Sequence, residues 1–339
     1  MKKSVLYFPY MRVPENEWFT RVLLYWDEVG FIVPSEYAEI PERLGDYTAE
    51  LMRVNLLKPV LPKKYIHQIP RFEASFLKMI NQNPVIKARK GVALRRGETS
   101  KIHIEKFSPL VFYLVDEGLA EEASYPWFEV ETLTADLFMA YLASVLGNCR
   151  DLQMEPTSDH MQSLSVFMKS PEIAADSSAV IDQLRVGILE NVLPAPTGRV
   201  SPQELADFKQ ENIELLRGFR NHVESTLIDI ACINDRQLRN RKLQLFQDQI
   251  ENEKAKLLAK MKKRRWPRLA FGTLGGLLAA AIPGLTGVMT GNVPAALLAT
   301  PGLVSAIYLA FQGEKDRQNA ILEDPLAYVV LAQTQFASG

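Results

Sequence analysis

The spacing of apolar positions divides the chain into three regimes. Over residues 4–10 (SVLYFPY) β-branched and aromatic residues crowd together and Pro9 closes the run, which predicts a first strand. Pro14 and Glu15 then open a helix whose apolar positions Trp18, Val22, Tyr25 and Val29 recur at intervals of four, three and four. Residues 31–34 (FIVP) read as a second strand, so the chain opens on a strand, helix, strand unit of the α/β kind. Helices are expected over residues 47–57, 72–81, 109–120 and 133–146, the last stopped by Gly147 and Asn148. Residues 101–107 (KIHIEKF) alternate like a strand, with Ile102 and Ile104 on one face and His103 and Glu105 on the other. A last strand is expected over residues 184–193 (LRVGILENVL), ahead of Pro194, Ala195 and Pro196. The fold class expected for residues 1–200 is a mixed α/β or α+β domain, followed by a mostly helical C-terminal half.

At Ser201 the period changes. Ser201 and Glu204 form a Ser-x-x-Glu capping box with Pro202 at the first helical position. Up to Arg265 no further proline follows, and Gly218 is a weak point costing about 1 kcal/mol relative to Ala. Leu205, Phe208, Leu216, Phe219, Val223, Leu227 and Ile230, then Leu243, Phe246, Ile250, Leu257 and Met261, trace a coiled-coil-like seam. The seam lapses over residues 234–241, so a bend at Asn234 and Asp235 is expected to fold residues 201–265 into two packed arms of about 45 Å each, at roughly 1.5 Å per residue.

The third regime is residues 269–313, forty-five residues without Asp, Glu, Lys, Arg or His. Asn292 and Pro294 divide it into a limb headed by Leu269 and a limb from Val293 to Phe311, each near the roughly 20 residues that cross about 30 Å of hydrocarbon. Residues 266–313 therefore read as an apolar, Gly- and Ala-rich helical hairpin. Two placements meet this pattern. In lipid, Gly272 with Gly276 and Gly287 with Gly291 have the four-residue spacing that lets helix backbones approach closely. In a soluble assembly the same pair would be the buried centre of an oligomer, a placement that Pro283 and Pro301 inside the limbs also suit. The flank favours lipid. Lys256, Lys260, Lys262, Lys263, Arg264, Arg265 and Arg268 precede the hairpin without an intervening acid, which by the positive-inside bias sets the body at the inner face of the cell membrane, in the cytoplasm. In the tail, residues 314–339, a polar helix ends at Pro325, and residues 326–331 (LAYVVL) are expected to pack back on the α/β domain.

Composition changes this picture little. A net charge of −1 gives no global electrostatic argument for nucleic acid, and none is expected as a partner. Cys149 and Cys232 alone exclude a disulfide scaffold or a thiolate zinc cluster and fit a reducing compartment. Met1, Lys2 and Lys3 resemble a signal n-region, but the apolar stretch behind them is too short for a signal peptide. The four histidines lie in different elements, so no metal or cofactor site is predicted. There is no Walker loop, no His-Glu-x-x-His and no Gly-x-Ser-x-Gly, so no catalytic residue is predicted. The basic stretch over residues 83–99 (KARKGVALRRGE within it) lacks interleaved aromatics and reads as a solvated loop. Two constellations remain. Tyr7, Tyr10, Asp27 and Lys106 could converge at the carboxyl edge of a sheet, where α/β ligand sites form; an ion pair between Asp27 and Lys106 is the bland alternative. Thr157, Ser158, Asp159 and His160 bring a hydroxyl, a carboxylate and an imidazole into one loop, or cap a helix before Met161.

Taken together, Tyr7-Phe8-Pro9-Tyr10, Trp18, Leu24-Tyr25-Trp26-Asp27, Val33-Pro34, Lys106, Ala140-Tyr141-Leu142-Ala143, Thr157-Ser158-Asp159, Leu193-Pro194 and Phe219-Arg220 resemble an uncharacterised bacterial family known only as a domain of unknown function. The resemblance covers residues 4–235 and implies a bacterial cytoplasmic body and a setting among defence genes, with no activity to carry over. Three functions compete. One is a membrane-acting effector or adaptor, with a body that senses a signal or protein partner and a hairpin that inserts and self-associates. The second is a soluble interaction protein with the hairpin in an oligomer core. The third is an enzyme using Tyr10, Asp27, Lys106 and Asp159.

Overall fold

The computed structural model describes residues 3–107, 109–159, 200–262 and 324–336, with residues 181, 185, 189, 192 and 193 between them. The chain forms two units, residues 1–182 with 199–206, and residues 183–198 with 207–339. The first is α+β and is built on two sheets.

Strand β1 (Ser4–Tyr7) leads through α1 (Glu17–Tyr25) to β2 (Glu28–Ile32), and through α2 (Ser35–Glu39) and α3 (Asp46–Arg53) to β3 (Leu57–Val60). Asn16, rather than Pro14 or Glu15, starts α1, its side chain accepting from Phe19 N at 2.9 Å. After α4 (Phe72–Gln82) and α5 (Pro84–Arg89) come β4 (Thr99–His103), α6 (Ile104–Phe107), α7 (Leu110–Asp116), β5 (Ala120–Ser124), β6 (Trp127–Glu131), α8 (Thr132–Gly147) and β7 (Glu155–Thr157). The first sheet has the order β3-β2-β1-β7 with every pair parallel. Its inner strands are buried along their length, as a sheet covered on both faces requires. Pro59 lies in β3, on the sheet's edge, where a missing N–H costs no ladder bond. The second sheet is antiparallel, β4-β6-β5.

Helix α8 joins them. It is apolar around most of its circumference and packs against β1 and β7 of one sheet and β4 and β6 of the other. Phe138 stacks on Phe107 at 4.4 Å and meets Phe76 edge-on at 5.3 Å, inside one core that also holds Leu6, Phe8 and Phe128. Glu131, with no exposed surface, caps the helix: its carboxylate accepts from Leu133 N at 3.0 Å and from Thr134 N and Oγ1 at 2.7 Å. At the other end Gly147 lies so close to the Met154 carbonyl that a Cβ there would collide with it.

Several expectations need correction. The strand expected over residues 101–107 stops at His103, and Ile104 starts α6, so the alternation of Ile104 and Glu105 is not a strand's. The basic loop contains α5, and two of its cations are held by acids: Arg89 bonds Glu131 at 2.5 Å and Glu98 at 2.9 Å, and Lys90 bonds Glu117. The helix expected over residues 109–120 ends at Asp116, and Thr157 belongs to β7 rather than to a helix cap. Of the strand expected over 184–193, four residues are described, and three of them are not extended. Arg185, Leu189 and Val192 are helical, and their spacing of four and three is a helix stripe.

Helix α9 (Pro202–Glu211), whose residues from Asp207 onward belong to the second unit, gives way at Asn212 to α10 (Ile213–Ala231), and after a turn Asp235 starts α11 (Arg236–Lys262) by accepting from Leu238 N at 2.8 Å. Half of the expected capping box is present, Ser201 N donating to Glu204 at 3.3 Å. The bend at 234–235 is therefore present, with a further break at Asn212. The arms are about 28 and 40 Å long at roughly 1.5 Å per residue. Leu216, Phe219, Val223, Leu227 and Ile230 of α10 and Phe246 and Ile250 of α11 are buried. Helix α12 (Ala327–Phe336) packs on α10 and α11: Tyr328 lies against Phe219 and Phe208 at 6.2 and 5.3 Å. Arg185 makes a bidentate pair with Glu224 at 2.7 and 2.9 Å.

Candidate functional site

In the parallel sheet, successive strands run from β1 outward to β3, and β7 then lies on the other side of β1. The order thus reverses between β1 and β7, the kind of crevice in which open α/β sheets hold ligands. At its carboxyl edge Phe8 N donates to Thr157 O at 3.2 Å, extending the ladder past Tyr7. Tyr7 is buried, and its hydroxyl bonds Asp159. Burial, then the charge of Asp159 and the neighbouring Tyr10, push the Tyr7 hydroxyl far above its ordinary range, so it stays a neutral donor. Ser158 is buried, and Tyr10 is 55% exposed at the rim. Tyr7, Tyr10, Thr157, Ser158 and Asp159 therefore come together. His160 and Met161 lie outside the described residues.

Further along the same edge, beyond β2 and β3, α6 docks on the turn Pro62–Lys64. Glu105 accepts from Ser35 N at 2.9 Å and Ser35 Oγ at 2.8 Å, and Lys63 lies 3.5 Å from it. Burial opposes its charge, but the Ser35 bonds and Lys63 outweigh it and hold the carboxyl below its usual range. His103 is packed edge-on against Trp127 at 5.1 Å and Tyr37 at 6.5 Å. Its Nδ1 accepts from Glu105 N at 3.2 Å, so the neutral ring carries its proton on Nε2, 3.5 Å from Glu36 Oε1. Lys106 is 4% exposed, and burial brings its amine down from 10.5 to about 7. Among the described residues no carboxylate pairs with that amine.

Asp27 belongs to neither cluster. It precedes β2 and accepts from Lys3 N at 2.9 Å, at the amino edge of the sheet, the end opposite Tyr10 and Asp159. An Asp27–Lys106 ion pair is absent from the described contacts, because the two residues occupy opposite ends of the strands. Ser35, Glu36 and Lys63 carry no local motif; Ser35 reaches Glu105 across 70 residues of sequence, a separation periodicity does not see. The hairpin residues Leu269, Gly272, Gly276, Gly287, Gly291, Val293 and Phe311 and the flanking Lys263, Arg264, Arg265 and Arg268 lie outside the described residues, as does the polar helix expected at 314–323. Lys262 is the last residue of α11. Among the described residues no helix is long and apolar enough to cross a membrane.

Compared with known proteins, the chain matches no family model, no curated protein and no solved structure.

Proposed function

We propose that this chain is a bacterial membrane-associated effector or adaptor, in which the α+β unit binds a signal or protein partner and the hairpin of residues 269–313 enters the bilayer. The observation that carries this reading is the forty-five-residue run free of ionisable side chains directly behind a cationic collar. The helical unit supports it. Helix α11 precedes the run and α12 follows it, and both pack with α10, an arrangement that supports a run which leaves one bundle and returns to it.

The test is flotation of the purified full chain with anionic and neutral liposomes. Truncation at Arg265 would also remove α12, whose Tyr328 and Phe336 fill the bundle, so the comparison is an internal deletion of residues 269–313 bridged by a Gly/Ser linker. The full chain is expected to float, preferring anionic vesicles, and the deletion to stay in the aqueous fraction. Leu278→Arg is expected to weaken partition about a hundredfold, from roughly 3 kcal/mol for a charge at mid-bilayer. A full chain that remains aqueous without detergent sinks the reading.

A second reading, a soluble oligomer with the hairpin inside, has its own observation. Leu238 and Leu245 are 57% and 58% exposed on α11 at heptad spacing, a seam suited to a second copy. Under that reading the internal deletion abolishes assembly and leaves flotation unchanged at zero.

A further inference from the structure

Across β4 and α6 two nitrogen donors sit close in sequence and buried. Among the described residues His103 Nε2 makes no hydrogen bond, Glu36 Oε1 facing it at 3.5 Å. Lys106 is buried with no hydrogen bond or ion pair among the described residues. Of the neighbouring acids, Glu105 is turned away and Glu36 faces the ring with one oxygen and Arg43 with the other. Glu105 is held by Ser35 and Lys63, and Glu36 is half exposed on α2 with Arg43 3.6 Å away. The two donors sense each other: burial is the main reason His103 stays neutral, Glu105 and Glu36 oppose it, and the Lys106 charge reinforces it. A buried ammonium without a counter-charge is held at a cost that a bound anion would offset. The position is also right, since α6 sits on the chain that leaves β2 and β3 at the sheet's carboxyl edge.

We propose that Lys106 and His103 form a binding site for a compact anion, the phosphate or carboxylate group of a small ligand. Its oxygens accept from Lys106 Nζ and His103 Nε2, and its charge supplies a counter-ion that none of the described residues provides. On binding, the Lys106 amine, which burial holds near pH 7, takes up a proton and stays charged. The site belongs to the α+β unit and does not rest on the hairpin entering lipid.

The test uses the full chain, in detergent micelles where it partitions, with inorganic phosphate and acetate as separate probes at constant ionic strength. At least one probe is expected to raise the unfolding temperature saturably; saturation by phosphate alone identifies a phosphate ligand, and by acetate a carboxylate. Lys106→Met is expected to weaken that binding about ten- to hundredfold, the loss of one charge-assisted bond. Lysine side-chain NMR of the unsubstituted chain reads the site without any variant: the Lys106 resonance is expected to titrate near neutrality alone and well above it with the probe. The proposal is overturned when neither probe shifts unfolding saturably, or when the shift survives Lys106→Met and the Lys106 resonance does not move.

Discussion

Replacing Lys106 by Met removes the buried amine and leaves an unbranched apolar chain one atom shorter, so the pH dependence of the effect on stability isolates one charge. Its folded-state value falls from 10.5 to about 7, and at roughly 1.4 kcal/mol per pH unit the full penalty is about 5 kcal/mol. The sign follows from proton counting. Between about pH 7 and 10.5 the unfolded chain binds a proton that the folded chain does not, so stability rises with pH across that window. Below pH 7 the penalty is complete; above 10.5 it is gone. Lys106→Met is therefore expected to be more stable than the parent by a few kcal/mol at pH 6.5, with the gap closing toward pH 10. Relaxation around the amine makes about 5 kcal/mol an upper figure, and the change of shape costs under about 1.5 kcal/mol. Urea unfolding at a series of pH values measures it, followed by the fluorescence of Trp18, Trp26 and Trp127, all in the α+β unit. Other titrating groups are common to both proteins and cancel in the difference. A gap that is independent of pH between 6.5 and 10, or a Met variant less stable at pH 6.5, refutes the uncompensated cation and with it the reason to place an anion there.

Glu131→Gln tests the junction of the second sheet with α8. Burial opposes the Glu131 charge, but bonds from Thr134, Leu133 and Arg89 outweigh it and hold the carboxyl below its ordinary range. Because the folded value is depressed, its stabilisation is present above the unfolded value near about 4.3 and lost as pH falls through the folded one. The variant is expected to lose about 2 kcal/mol at pH 7, from a weakened cap and one unsatisfied buried donor, with the loss shrinking in acid; thermal melts at pH 7 and pH 3 check both. Gly147→Ala is expected to cost about 1–3 kcal/mol, because the new Cβ meets a backbone carbonyl that cannot withdraw. Gly30→Ala is expected to cost less, since the obstacle there is the flexible end of Met154, 2.6 Å away; denaturant midpoints order the two.

The elements that were legible were those whose signal is local. The Asp235 turn and the α10–α11 seam declare themselves in a lapse of heptad spacing, and Gly147 with Asn148 marks the end of α8. The strands that escaped notice carry little apolar pattern of their own. Strand β5 reads Ala-Glu-Glu-Ala-Ser and is exposed along all but its first residue, β3 contains Pro59, and β7 is three residues long with Pro156 at its centre. Each is a strand because a neighbour supplies a ladder: β6 for β5, β2 for β3 and β1 for β7. Tertiary pairing of this kind leaves no periodicity to read. Residues 184–193 show the converse error: a strand was expected, whereas Arg185, Leu189 and Val192, spaced by four and three, are helical.

The site was legible by residue type more than by place. Tyr7, Tyr10 and Asp159 do share the sheet's carboxyl edge, as the strand ends suggested, whereas Asp27 sits one residue before β2 and so falls at the opposite edge. Lys106 looked like the natural partner for such an acid. What the sequence hides is that the carboxylate beside it, Glu105, is turned to Ser35 and Lys63, so that among the described residues the buried amine has no counter-charge. A lysine there is hard to justify as packing, since a Met of similar shape avoids the penalty. The same reasoning bears on the helical unit. Leu326, Tyr328 and Val330 are fully buried among α10 and α11, so the tail behind the apolar run is an integral part of the bundle in front of it. In sequence, residues 269–313 fall between α11 and α12, two helices that pack in one bundle around the Phe219–Tyr328 stack.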